Sequence, residues 1–292
     1  MMFTPRTLRS TTCLTAALLC VLPAALSANP VGGTVTAGQA TINSVGNTLN
    51  IHQQSNKLLI DWRGFDIDAG EQTEFFQPGS NSIAVNRVNS TSASQIHGSL
   101  KANGNVVIIN QNGVLFGAGA RVDVNGLVAT TADLDNDHFM NNDTLVFDKA
   151  GNPNASIINE GTITAKDAGL VGFVAPNVVN SGTIRANLGR VHLASGDTAT
   201  VDMYGDGLMK VAVSDAVKSQ FVGNSGTIEA NGGWVPWLMD TMDEGYRKHH
   251  MWVFPKLKML PSEYYRRNGM GQISEVWLLS SQEAQTAPRK NP

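Results

Sequence analysis

From residue 98 to residue 230 the chain alternates apolar and polar positions in short runs, and the runs recur. Asn159-Glu-Gly-Thr-Ile-Thr-Ala165, Asn180-Ser-Gly-Thr-Ile-Arg-Ala186 and Asn224-Ser-Gly-Thr-Ile-Glu-Ala230 begin 21 and then 44 residues apart, close to one and two units of about 21 or 22. A weaker copy, Gly98-Ser-Leu-Lys-Ala102, starts 63 residues before Gly161, which predicts three such units between them. In Gly-x-Ile-x-Ala the alternate residues share one face of a strand, and the intervening Thr, Glu, Arg or Lys face the other way. Three copies lead into a second apolar pair: Val107 and Ile109 after Ala102, Val171 and Phe173 after Ala165, Val191 and Leu193 after Ala186. The Asn-Gly or Asn-Leu-Gly between the two strands accepts the left-handed backbone of a tight corner.

Short strands and corners repeated at this period describe a solenoid whose turns stack at strand spacing, about 4.8 Å. The predicted fold class is all-β, a parallel β-helix. Ile163, Ile184 and Ile228 should stack inside it, and Asn159, Asn180 and Asn224 either form a ladder of side-chain amides or line an exposed corner without one. The length from Asn29 to Asn231 leaves room for roughly nine or ten turns, a rod about 45 Å long. Gly205-Asp-Gly207 marks an extra loop or hairpin inside the two-unit gap. Ahead of the repeats, residues 49–51, 58–62, 65–67, 73–76 and 83–88 also read as strands, and this portion is the natural cap for a solenoid end that would otherwise expose unpaired edges.

Composition divides the chain in three. Of 29 glycines, 26 lie in residues 1–233, whereas four of five tryptophans lie in 234–292. Residues 1–28 carry Arg6 and Arg9, an apolar run from Cys13 to Leu22, Pro23 and a small-residue stretch, the order of a secretory signal peptide cleaved after Ser27 or Ala28. Both cysteines, Cys13 and Cys20, fall in that segment, so the mature chain relies on burial and backbone pairing rather than disulfides. Residues 28–233 hold 11 Lys and Arg against 18 Asp and Glu. An acidic body without a basic stripe argues against a nucleic-acid partner.

A set of ordered motifs then becomes recognisable: Asn29-Pro-Val-Gly-Gly33, Ile60-Asp-Trp62, Phe65-Asp-Ile67, Phe76-Gln-Pro78, Asn86-Arg-Val88, Ile96-His-Gly98, Ile109-Asn-Gln-Asn-Gly-Val-Leu-Phe-Gly117 and Gly126-Leu-Val-Ala129. Together, over residues 29–233, they resemble the secretion domain of two-partner-secretion exoproteins, the filamentous-haemagglutinin-type adhesins and their relatives. The resemblance implies a right-handed parallel β-helix. It also implies recognition in the periplasm by an outer-membrane transporter of the Omp85 type with periplasmic binding domains, and export to the surface or surroundings of a Gram-negative bacterium. The family's Asn-Pro-Asn-Gly corner stands here as Asn110-Gln111-Asn112-Gly113, with glutamine in place of proline. The companion Asn-Pro-Asn-Leu motif is not evident between Asn89 and Gln95, and Asn152-Pro-Asn154 lies too late to be it. The resemblance therefore carries over Asn86, Arg87, Val88, Asn110, Gln111, Asn112 and Gly113 as a secretion-recognition region. The alternative reading is that these residues are solenoid corner and core.

Candidate chemistry adds little. Asp66 and Asp68 alternate with Phe65 and Ile67 as solvent-facing strand residues should, so Asp61, Asp66, Asp68 and Glu71 do not read as a catalytic carboxylate set. Asp133, Asp135, Asp137 and Asp143 lack the glycine-bearing spacing of a calcium loop and read as a surface loop. The histidines show no zinc spacing. No enzyme activity, metal or cofactor is predicted, although parallel β-helices do host polysaccharide-active enzymes. The delivery end of a contact-dependent toxin is the alternative within the family, and the rod's outer face leaves room for a host or glycan receptor. By the cadence of the repeats an apolar pair is due at 235 and 237, but Val235-Pro236-Trp237 puts a proline in an interior strand, so the solenoid should stop there in mid-turn. Residues 234–292 then read as an irregular tail, either a genuine cap or the product of a shifted reading frame, with a short helix over Gln272 to Gln285.

Overall fold

A computed structural model of the chain describes residues 29–203, 209–212, 214, 217, 220–233 and 235, and the backbone of five strands between 236 and 278. The signal segment and Gly205-Asp-Gly207 lie outside the described residues. Three sheets wrap a common core as a right-handed parallel β-helix. Sheet one stacks Lys57–Trp62, Ile83–Val88, Asn105–Asn110, Gly126–Thr130, Leu170–Ala175, Arg190–Ser195 and Pro236–Asp243 in parallel. Sheet two stacks Thr48–Gln53, Gln72–Phe76, Ser99–Ala102, Arg121–Val124, Thr162–Ala165, Thr183–Arg185 and Thr227–Glu229. Sheet three stacks Ser94–Ile96, Val114–Phe116, Ser156–Asn159, Asn177–Asn180 and Gln220–Asn224. Antiparallel strands Thr34–Ala37 and Ala40–Val45 close the first coil, forming the expected N-terminal cap.

The inward columns follow the alternation. Leu100, Val122, Ile163, Ile184 and Ile228 lie side by side in successive coils, all but fully buried. Behind them Phe116 and Phe173 stack at 5.7 Å, bridging sheets three and one across the core. The outward columns of sheet two are polar, and Arg185 pairs with Glu229 of the next coil at 3.0 Å.

Coil spacing departs from the expectation. Arg121 lies beside both Ser99 and Thr162, so the 63 residues from Gly98 to Gly161 hold two coils rather than three. Asn180 lies directly beside Asn224, so that gap of 44 residues is one coil. Each long coil leaves the end of a sheet-one strand to make an insertion before returning. About six turns result, and seven stacked strands span about 29 Å, shorter than the rod inferred from length alone.

The insertions build a second layer. Asp133–Leu134, Thr144–Lys149, Thr198–Asp202 and Met209–Ala212 pair antiparallel, with a short helix at Asn136–Asn141 between the first two. This layer, the strap, lies on the outer face of sheet one. Leu59, Val85, Val107, Val128 and Val174 point outward into it and meet Phe139, Leu145, Phe147 and Val201 in a second core. Val107 and Ile109 thus belong to the outer core, whereas the apolar pairs after the later copies, Val171 with Phe173 and Val191 with Leu193, face the coil interior. The corner Asn103-Gly104 is shorter than its later counterparts, Val106 and Ile108 take the inward places beside Leu127 and Ala129, and a one-residue shift turns every side chain over. Asp133, Asp135, Asp137 and Asp143, expected in a surface loop, lie in the strap, where Asp135, Asp137 and Asp143 are exposed.

Past Gly233 the coil runs on further than the proline suggested. Val235 is buried, and Trp237, Leu238 and Met239 pair in parallel with Leu193, Ala194 and Ser195. Pro236 opens that strand, the position in a sheet where a missing N–H costs least. Beyond it pairing is antiparallel and the solenoid ends: Tyr246–His249 and Trp252–Val253 pair with Pro236–Asp243, and Glu263–Arg267 pairs with Gln220–Asn224. Ile273–Leu278, expected within a helix, is a strand paired with Glu263–Arg267; its residues include the strand-favouring Ile273, Val276 and Trp277.

Candidate functional site

The two segments singled out as a recognition region meet in adjacent coils of sheet one, where Asn86 lies beside Ile108 and Val88 beside Asn110. Asn86 is fully buried on a strand face whose other residues, Ala84 and Val88, are apolar. Its Oδ1 accepts from Trp62 Nε1 at 3.0 Å, and its Nδ2 donates to the carbonyls of Ala84 and Val107. A buried amide with these bonds made fixes the Trp62 ring and the first coils against one another. Val88 is also in the core.

Arg87 faces the other way, under the strap. Its Nε donates to Asp133 Oδ1 at 2.7 Å, Nη1 to Asp61 Oδ1 at 3.2 Å, and Nη2 to the Leu134 carbonyl and to Asn136 Oδ1 at 2.7 Å. With only 14% of its side chain exposed, the guanidinium joins coil and strap through most of its donors. Alongside, Asp135 caps the helix by accepting from His138 N, and that bond, with help from Lys149, holds its carboxyl below the usual range.

Asn110 to Gly113 is a tight turn. Gly113 N donates to the Asn110 carbonyl at 2.9 Å, and Asn112 N to Asn110 Oδ1 at 2.9 Å. Asn110 Nδ2 reaches up to the Ser92 carbonyl and Ser94 Oγ, and Asn112 Nδ2 to the Ser90 carbonyl. Asn110 is wholly buried, whereas Gln111 is exposed at the tip. Gly113 has φ of 108°, and a side chain there would strike the Ser156 carbonyl of the coil below.

The turn has structural twins that the sequence reading passed over. One coil below, Asn154 N donates to Asn152 Oδ1 and Ala155 N to the Asn152 carbonyl, while Asn152 N donates to the Gln111 carbonyl. One coil above, Ser92 N donates to Ser90 Oγ. Three stacked corners thus use one local device, a side-chain oxygen accepting from the N–H two residues on. The Asn-x-Asn pattern at both 110 and 152 was the available signal, obscured because the insertion separates two corners that are adjacent in space.

The asparagine column at the next corner is a ladder. Asn159 Nδ2 donates to Asn180 Oδ1 at 2.7 Å, and Asn180 Nδ2 to Asn224 Oδ1 at 2.6 Å. All three are buried. Beside them the coils approach so closely that a methyl at Gly182 or Gly226 would run into the carbonyl oxygen of the glycine above. A second amide cluster explains Gln77 of the Phe76-Gln-Pro78 motif: its Nε2 donates to Gln53 Oε1 and its Oε1 accepts from Gly104 N. The carboxylates considered for catalysis are spread out: Asp61 pairs with Arg87 and Asp66 accepts from Gln95 N. Among the described residues no group of three or more His, Cys, Asp or Glu is placed to hold a metal.

Comparison with known proteins bears on this arrangement. A family model described as the TPS secretion domain matches residues 27–233. A heme/hemopexin-binding protein of Haemophilus influenzae is 39% identical over 211 residues, 69% of this chain and 23% of that protein. A second protein of that name from Haemophilus influenzae is 45% identical over 105 residues, 36% of this chain and 11% of that one. The chain therefore spans less than a quarter of the curated relatives' length. The crystal structure of the HMW1 secretion domain from Haemophilus influenzae superposes with a TM-score of 0.63 at 33% identity, covering 70% of this chain and 55% of that one.

Proposed function

Since this chain belongs to the TPS secretion domain family, the secretion domains of two-partner exoproteins, we propose that residues 29–233 carry the exoprotein to a partner transporter in the outer membrane and through it to the cell surface or beyond. The transporter is of the Omp85 type and reads the chain with its periplasmic domains. The family is not an enzyme family, and nothing in the comparisons favours the toxin-delivery or polysaccharide-cleaving alternatives. The exoprotein is an adhesin of the haemagglutinin type or, as the relatives' names suggest, a heme- or hemopexin-binding protein.

One observation shapes the mechanism. Asn86 and Asn110 are fully buried, with their amides already bonded inside the protein. A folded coil offers neither to a partner. Recognition through them belongs to the chain before it coils, when Asn86 to Gly113 is extended and its amides are free. Coiling afterwards withdraws the same groups, which frees the partner for the segment that follows. The chain's construction suits that order, because each coil rests on the one before it.

The stacked turns provide the test. Asn152 and Asn154 make the same local bonds as Asn110 and Asn112. Each pair is replaced by alanine in a cell that carries the partner transporter, and exported chain is compared with thermal stability. The proposal expects export to fall well below what lost stability explains for the first pair only. Equal export for both pairs at matched stability would reduce Asn110 and Asn112 to corner residues.

A further inference from the structure

We propose that the strap is a two-part fastener that closes late, leaving an apolar face of the early coils uncovered until a segment more than fifty residues downstream arrives. Its first half, residues 133–149, follows the fourth strand of sheet one, and its second half, the strands Thr198–Asp202 and Met209–Ala212, follows the sixth. Thr144–Lys149 is an inner strand of the strap: one edge takes Asp133–Leu134, and the other takes Thr198–Asp202, with Leu145 beside Val201 and Phe147 beside Ala199. Without the second half, that other edge has neither backbone partner nor cover for Phe147, and a lone two-stranded ribbon is marginal in water.

Among the described residues, the strap supplies the cover for the surface beneath. Val85, Val107 and Val128 point out of sheet one and are fully buried only because the strap lies over them. Their neighbours in sequence, Ala84, Val106 and Leu127, already fill the coil interior, so these strands are apolar on both faces. The second half also seals the lower coils, since Met209 lies over Gly172 where any side chain would collide with it. Polar clamps then fix the first half to the oldest coils, through Arg87 to Asp133 and Lys57 Nζ to the Asn142 carbonyl. Closure therefore joins strands 57–62 and 83–88 to strands 198–202 and 209–212 in one step. A chain leaving a pore from its N-terminal side would carry the open face through two further coils. This inference does not depend on which residues the transporter reads.

Two measurements on the full chain test it. In pulsed hydrogen exchange during refolding, amides of Thr144–Lys149 should become protected together with those of Thr198–Asp202, several-fold later than those of Asn105–Asn110. Protection of Thr144–Lys149 before Thr198–Asp202 would overturn the proposal. At equilibrium, Ala199→Pro removes a backbone donor from the inner strand of the second half. It should speed exchange across 133–149 about tenfold or more while leaving Leu170–Ala175 unchanged. Wild-type protection of 133–149 in that variant would show that the first half stands alone, and equal loss in the coil would show that the strap is not a separable unit; either result refutes the two-part fastener.

Discussion

Replacing Asn180 with alanine removes the middle rung of the buried amide ladder. Asn159 Nδ2 loses its 2.7 Å acceptor and keeps only a 3.4 Å approach to the Gly161 carbonyl, while Asn224 Oδ1 loses its 2.6 Å donor. Neither can turn to water, because both residues are almost completely enclosed. A buried polar group left unsatisfied costs about 1–3 kcal/mol, so two such groups and a small cavity should cost about 3–5 kcal/mol. In urea unfolding of the mature chain that is a fall in midpoint of about 1–2 M. The control is Asn231→Ala, which removes a 3.2 Å bond to Asn187 Oδ1 at an exposed corner and should cost under about 0.5 kcal/mol. Asn180→Asp adds a signature of its own. Its carboxylate would face Asn224 Oδ1, and protonation would turn that repulsion into a donated hydrogen bond, so the variant should regain stability as pH falls through its raised pKa. Equal midpoints for the Asn180→Ala and Asn231→Ala variants would refute the claim that the ladder bears load.

Four further outcomes follow from the same geometry. Gln111→Pro should stabilise by about 0.5–1 kcal/mol in thermal unfolding, because the exposed tip occupies the turn position that proline favours and the stacked turn below already holds Pro153 there. Leu188, 64% exposed with φ of 55°, should gain about 1 kcal/mol on replacement by glycine, read in the same melts. Arg87→Met should cost about 2–4 kcal/mol in chemical denaturation, since it strands Asp133 and Asp61 in a partly buried site, and limited proteolysis should then cut first within residues 133–149. The bond from His138 N holds the Asp135 carboxyl below the usual carboxylate range, so its capping contribution is present at neutral pH and is lost as pH falls through that lowered pKa; the protection of Asn136–Asn141 against exchange, relative to the intrinsic rate at each pH, should fall there and stay constant above about pH 5.

The inner wall of sheet two was readable from Gly-x-Ile-x-Ala alone, because a two-residue period with an apolar face leaves one way to sit against a core. The corner residues were readable too, including Asn-Leu-Gly, where Leu188 itself adopts the left-handed conformation. The coil count was not, since a repeat of 44 residues looks the same whether it holds two plain coils or one carrying a hairpin. A clue to the strap was present in Val106-Val-Ile-Ile109 and Leu170-Val-Gly-Phe-Val-Ala175, where unbroken apolar runs mean a strand covered on both faces. What covers them comes from distant sequence, and only the register of Leu145 with Val201 reveals it. The candidate recognition residues were named from the resemblance; their burial, and hence the stage at which a partner can reach them, needed the structure.

A binding measurement with the transporter's soluble periplasmic domains tests the central claim most directly. One ligand is a peptide of residues 82–116, too short to close a stack of coils, and the other is the folded mature chain. The account predicts that the peptide binds at least about tenfold more tightly than the folded chain and that replacing Asn110 and Asn112 with alanine abolishes the difference. Binding of the folded chain as tight as that of the peptide would contradict it.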